Sequence, residues 1–217
     1  IMDSVLNANL NPERLLKAWT KDPGEAVKYM KNEDPCAFFY DVIWAGSTGQ
    51  CLNVEDPYIY RHFTPEELYA LWAYNDVRYY HYMNSSVENH RTRDLIGGRI
   101  LRDIIEKADE AVRGNNRVAD LRFGHDSGLG PLFSIMRVKG MEEERKMAEA
   151  IDGVWYGFRD MPMASNLQMI FYRNRKGDVL VKLLRNEVET TIPALRSVSG
   201  PYYRWDDLRG YLLELVK

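Results

Sequence analysis

A histidine and an aspartate stand side by side between glycines in the stretch Phe123-Gly124-His125-Asp126-Ser127-Gly128-Leu129-Gly130-Pro131. An imidazole can hold an anion or carry a proton, and a carboxyl can deliver one to a leaving oxygen. The pair therefore has the chemistry of acid–base work on an anionic substrate. The glycines let the backbone come close to a ligand. Ahead of the pair, Val118-Ala119-Asp120-Leu121-Arg122-Phe123 has near-alternating apolar residues and predicts a strand. Behind it, Leu129, Leu132, Phe133 and Met136 follow the i, i+3, i+4, i+7 spacing of a helix. Strand, polar turn and helix together place the pair at the carboxyl end of a strand, the usual ligand crevice of an open α/β sheet. The next helix adds free N–H groups and a partial positive charge there. A plainer reading stands beside this one: Asp126 or Ser127 simply caps the helix and His125 fills the loop.

Other chemistry-bearing residues are scattered. His90-Arg91-Thr92-Arg93, with Arg99 and Arg102 a helical face away, has the charge to touch a polyphosphorylated substrate; a solvated helix start explains the same run. His81, in Tyr79-Tyr80-His81-Tyr82, reads as a packed or hydrogen-bonded helix residue. No cluster has metal-ligand spacing and no phosphate-loop or nucleophile-elbow motif occurs, so no metal or cofactor is expected. Cys36 and Cys51 lack the C-x-x-C spacing of redox and metal sites; they read as two buried thiols or, in an oxidising compartment, a pair.

The elements that must position these residues are helical first. Asn11-Pro12 and Asp34-Pro35 each put a cap residue before a proline at the first helical position. Thr64-Pro65-Glu66-Glu67 adds a capping box to a helix reaching Met83. From Asp94, an apolar stripe through Ile100, Leu101, Ile104, Ile105 and Ala108 marks the clearest helix. A hairpin follows, Asn166–Arg173 and Asp178–Leu184 around Asn174-Arg175-Lys176-Gly177, and Trp205-Asp206-Asp207 opens a last helix through Leu215. Three strands are legible, against a mean sheet of about five or six.

With 217 residues, 45% of them hydrophobic, the chain has enough apolar material for one large domain or two small ones. A net charge of −3 gives no global pull toward nucleic acid. No apolar run approaches the roughly 20 residues of a membrane helix, and IMDSVLNANL lacks the basic and apolar regions of a signal peptide.

The segment ADLRFGHDSGLGPLFSIM resembles the C-terminal His-Asp motif of the histidine acid phosphatases, the branch that includes phytases and multiple inositol polyphosphate phosphatases. ELYALWAYNDVRYYHYMNSS and MPMASNLQMIFYRNRKGDVLVKLLRNE are similar to the equivalent regions of gut-bacterial, Bacteroides-like members. The resemblance implies an α/β, phosphoglycerate-mutase-like core with a largely helical cap. Residues 1–92 would be cap-like and 93–217 the C-terminal part of the core. It implies a phosphohistidine mechanism in which His125 is the second histidine, gripping phosphoryl oxygens, and Asp126 protonates the leaving alcohol and later activates water. Ser127, Arg91 and Arg93 are candidate substrate contacts.

The nucleophile motif of that family, R-H-G-x-R-x-P, occurs nowhere; the nearest string is Arg61-His62-Phe63. The expectation is therefore the C-terminal portion of a longer phosphatase, inactive alone, acting in its parent enzyme on inositol phosphates. A non-catalytic phosphatase-like binding protein is the alternative. The resemblance further implies export to the periplasm or cell envelope, with any signal upstream of Ile1. An incomplete sheet would leave an edge open to oligomerisation.

Overall fold

Asn11 caps the first helix as its spacing predicts: its Oδ1 accepts the Arg14 N–H at 3.0 Å, and Pro12 opens α1 (Pro12–Trp19). The computed structural model describes residues 9–29, 35–52, 58–84, 86–89, 93–114, 119–147 and 155–217. They fall into two compact units, Ile1–Arg78 and Tyr79–Lys217.

The first unit is helical: α1, α2 (Pro23–Tyr29), α3 (Pro35–Ser47) and most of α4 (Pro65–Met83). Its core joins Leu15, Leu16, Cys36, Phe39, Phe63 and Leu71. Trp19 meets Phe39 edge-on at 5.6 Å and Phe63 at 6.1 Å, geometries that add to area burial. The capping box forms: Glu67 N–H donates to Thr64 Oγ1 at 3.3 Å and Thr64 N–H to Glu67 Oε2 at 2.9 Å. Glu67 is buried, and the Arg14 guanidinium and the Asn11 N–H complete its set of donors. A buried carboxylate needs such a set to persist. Arg61-His62-Phe63 is accounted for here, with Phe63 in the core and His62 edge-on to Trp19.

The second unit packs helices on a small antiparallel sheet, the α/β content expected. A π-turn (Arg93–Gly97) precedes α5 (Gly98–Val112), so the helix expected from Asp94 begins later as a regular α-helix. Its stripe does bury Leu101, Ile105 and Ala108. Helix α6 (Asp126–Met136) is buried continuously from Gly130 to Met136, the pattern of a helix surrounded by protein.

The hairpin forms in the expected place: β1 (Leu167–Arg173) pairs antiparallel with β2 (Val179–Arg185), placing Phe171 opposite Val181. Its turn is built by Asn174, whose Oδ1 accepts the N–H groups of Lys176 at 2.8 Å and Asp178 at 2.9 Å. Two further strands, β3 (Val188–Thr190) and β4 (Tyr202–Arg204), both pair with β2. Asn186 and Glu187 take positive φ at both turn positions between β2 and β3, the geometry that matches the twist of a tight hairpin. Helix α7 (Trp205–Glu214) follows β4 directly; Asp206 and Asp207 lie in its first turn and Arg204 is the cap residue. Asp109 of α5 accepts from Trp205 Nε1 at 3.1 Å and Arg209 Nε at 2.7 Å, clamping α5 to α7.

The strand expected over residues 118–123 does not form. Val118 lies outside the described residues, and 119–125 run without regular structure and join none of the described strands. Leu121 is 77% and Phe123 93% exposed. A strand exists only against a partner, and none of the described strands lies alongside this segment.

Tyr203, fully buried, uses its hydroxyl to accept the Ile192 N–H at 2.9 Å. Tyr203→Phe leaves that buried N–H unpaired and is expected to cost about 1–2 kcal/mol, read as a lower urea midpoint at unchanged m-value.

Candidate active site

His125 and Asp126 straddle the start of α6. His125 is the cap residue in extended conformation (φ −109°, ψ 164°), and its carbonyl accepts the N–H groups of Gly128 at 3.0 Å and Leu129 at 3.2 Å. Asp126 is the first helical residue, and its Oδ1 accepts the Ser127 N–H at 2.8 Å. Neither Asp126 nor Ser127 is the cap residue, and the His125 side chain makes no capping bond. The Asp126 carboxylate nonetheless takes up one of the helix's free N–H groups, so part of the plainer reading holds: it serves the helix start from the first helical position rather than from the cap. His125, Asp126 and Ser127 are all exposed. A helix start presents N–H groups and a partial positive charge, an environment that favours an anion.

The buried part of α6 fixes this exposed end. Gly130 sits where an added Cβ would stand 2.6 Å from the Met83 carbonyl oxygen, and Gly97 where one would stand 2.4 Å from the Pro131 carbonyl oxygen. At Gly128 a Cβ would be 3.3 Å from Ile100 Cδ1. Helix α6 is thus seated against the end of α4 and the π-turn by backbone approaches only glycine allows, and Gly128 lies close to an Ile100 side chain of α5. Gly130, read from sequence as letting a ligand approach, faces the Met83 carbonyl.

Sequence reading missed Arg122. Its guanidinium reaches Asp103 Oδ2 on α5 at 2.7 Å and Asp120 Oδ1 at 3.4 Å, three residues before His125. No local signal announces a contact across nineteen positions of sequence. Arg91 lies outside the described residues, and Arg93 opens the π-turn. Arg102 is turned to the Val216 carbonyl at the chain's far end.

His81 is the hydrogen-bonded helix residue expected. Its Nδ1 is 3.2 Å from Ser86 Oγ, and Ser86 donates to Glu88 Oε2 at 2.6 Å. That hydroxyl holds the Glu88 carboxyl below its ordinary range. Glu88 also accepts the Met147 N–H at 3.2 Å, so the cluster ties two surface segments together. Among the described residues no group of three His, Cys, Asp or Glu side chains is placed to hold a metal ion, and no helix is long and apolar enough to cross a membrane.

No protein-family model and no curated protein sequence matches the chain. Solved structures do. The multiple inositol polyphosphate phosphatase of Bifidobacterium longum in complex with phosphate superposes with a TM-score of 0.69 at 18% identity, over 84% of this chain and 40% of that one. Its apo form gives 0.67 at 18% identity over 82% and 39%, and its inositol hexasulfate complex 0.62 at 20% identity over 71% and 33%. The chain therefore shares the fold of part of these structures, and it spans no more than 40% of their length.

Proposed function

We propose that this chain carries the phosphate-gripping and proton-transferring half of a histidine acid phosphatase site, acting on phosphomonoesters with inositol polyphosphates as the favoured class. The observation that carries this reading is the exposed His125-Asp126 pair at the start of a buried helix, within a fold shared with an inositol polyphosphate phosphatase. In the mechanism, a histidine nitrogen supplied by polypeptide outside these 217 residues attacks phosphorus and the ester P–O bond breaks. Asp126 gives its proton to the departing alkoxide. Water then attacks the phosphohistidine, its proton passes to the Asp126 carboxylate, and inorganic phosphate leaves. His125 acts throughout as a fixed donor to the phosphoryl oxygens, which needs no reorganisation as charge develops. A phosphate dianion beside a carboxyl favours its protonated form, which suits a general acid.

Residues 1–92 are read as the helical cap, with Arg91, Arg93 and Ser127 as candidate substrate contacts. The open segment 119–123 is read as a core strand that gains its neighbours from the part of the fold this chain does not span, in the same polypeptide or in a second one. The competing reading, a phosphatase-like binding protein, draws on the absence of any R-H-G string.

Inorganic phosphate titrated into the chain should shift the His125 ring resonances, while p-nitrophenyl phosphate and phytate are not turned over. Extended upstream to include an R-H-G-x-R motif, the protein should hydrolyse both at acidic pH. Turnover by the 217-residue chain that survives His125→Ala would sink the assignment.

A further inference from the structure

We infer that Arg122 and Asp103 form a latch that fixes the approach of the 119–125 segment and with it the orientation of His125, making Arg122 and Asp103 positioning residues of the phosphate site; the inference rests on the phosphatase reading for its function, though not for its geometry. Residues 119–125 enter the site without pairing to any described strand. Their far end is fixed, because α6 is seated by the close approaches at Gly97 and Gly130. Their near end runs back toward residues 115–118, outside the described set. Between the two, Arg122 bonds Asp103 on α5 at 2.7 Å. Helix α5 is itself immobilised by its buried Leu101 and Ile105 and by the Asp109 clamp on Trp205 and Arg209. A continuous path therefore leads from a packed helix, through one ion pair, to a backbone point three residues from the imidazole.

The second carboxylate at Arg122 sharpens the prediction. Asp120 Oδ1 is 3.4 Å from the guanidinium and belongs to the same segment, so that bond by itself does not tie Arg122 to α5. Removing the Asp103 charge leaves Arg122 beside Asp120 and takes away its bond to α5. Both partners are partly exposed, at 36% and 53% of their side-chain surface. Such pairs add little to global stability, and the latch acts on position.

The test uses the 217-residue chain with inorganic phosphate as the probe. In Asp103→Asn, backbone order parameters of Gly124 and His125 should fall from the rigid range near 0.85 toward about 0.6. Phosphate affinity, followed at the His125 ring, should weaken about tenfold. The melting temperature should stay within about 2 °C. Arg122→Lys, which keeps the charge but loses the planar fork, should fall between. The double exchange Asp103→Arg with Arg122→Asp should recover both order and affinity, which a merely structural role does not predict. Unchanged relaxation at Gly124 and His125 in Asp103→Asn, or no recovery in the double exchange, would overturn the latch. If phosphate moves no His125 resonance in the unaltered chain, the phosphatase reading falls, and the relaxation measurements still decide the latch.

Discussion

Asp126→Asn, on the proposed phosphatase reading and in a polypeptide extended upstream to include an R-H-G-x-R motif, is expected to slow hydrolysis of an alkyl phosphomonoester by about 10²–10⁴-fold. The loss should shrink sharply for p-nitrophenyl phosphate, whose leaving group departs without a proton. The basis is the position of the carboxyl at the first residue of α6, exposed beside His125 with its Oδ1 on the Ser127 N–H. Amide and acid are isosteric, so phosphate binding at His125 should persist while the proton is lost. The measurement is kcat across a series of esters graded by leaving-group acidity. Equal losses across the series would remove Asp126 from the role of acid.

Gly97→Ala is expected to destabilise the second unit by about 3 kcal/mol, roughly 6–12 °C in Tm, at the upper end of what overpacking costs. Gly97 has ordinary helical angles (φ −59°, ψ −42°), so its backbone does not need the freedom of glycine. What it needs is the absence of a side chain: the new Cβ would lie 2.4 Å from the Pro131 carbonyl oxygen and 2.7 Å from its carbon. Both are main-chain atoms of a buried helix and cannot swing aside. The substitution should also weaken phosphate binding at His125, since α6 must shift to make room. Gly124→Ala is the control: nothing lies within 4 Å of its added Cβ, and stability should be nearly unchanged. Thermal melts of the two variants compare them directly.

Where sequence and structure agree, the cause is local. Asn11-Pro12 and Thr64-Glu67 act through atoms three residues apart, and Asn174 builds its turn with its own neighbours, so each could be read without knowing the fold. The α5 stripe and the hairpin are equally local in period. The His-Asp pair is not specific as a dipeptide, and the roles proposed for it come from the resemblance of the segment around it. What escaped is non-local. The short strands β3 and β4 exist because β2 offers them an edge, and three residues carry too little pattern to announce it. The 118–123 segment has the composition of a strand and nothing described to pair with. Gly97 and Gly130 show no sign of a packing role until the carbonyls facing them are placed. Arg122 looks like a solvated charge until α5 brings Asp103 to it.

The exposed Leu121 and Phe123 are also expected to affect how the polypeptide behaves in a crowded solution. Short apolar β-prone stretches are sticky toward copies of themselves, and natural sequences interrupt them with charges that act as gatekeepers. Asp120 and Arg122 occupy those interrupting positions, and the one that latches onto α5 also keeps a guanidinium in every attempted self-pairing. A substitution at Arg122 is therefore expected to carry two separable penalties, one at the proposed His125-Asp126 site and one in the concentration at which the protein stays dispersed.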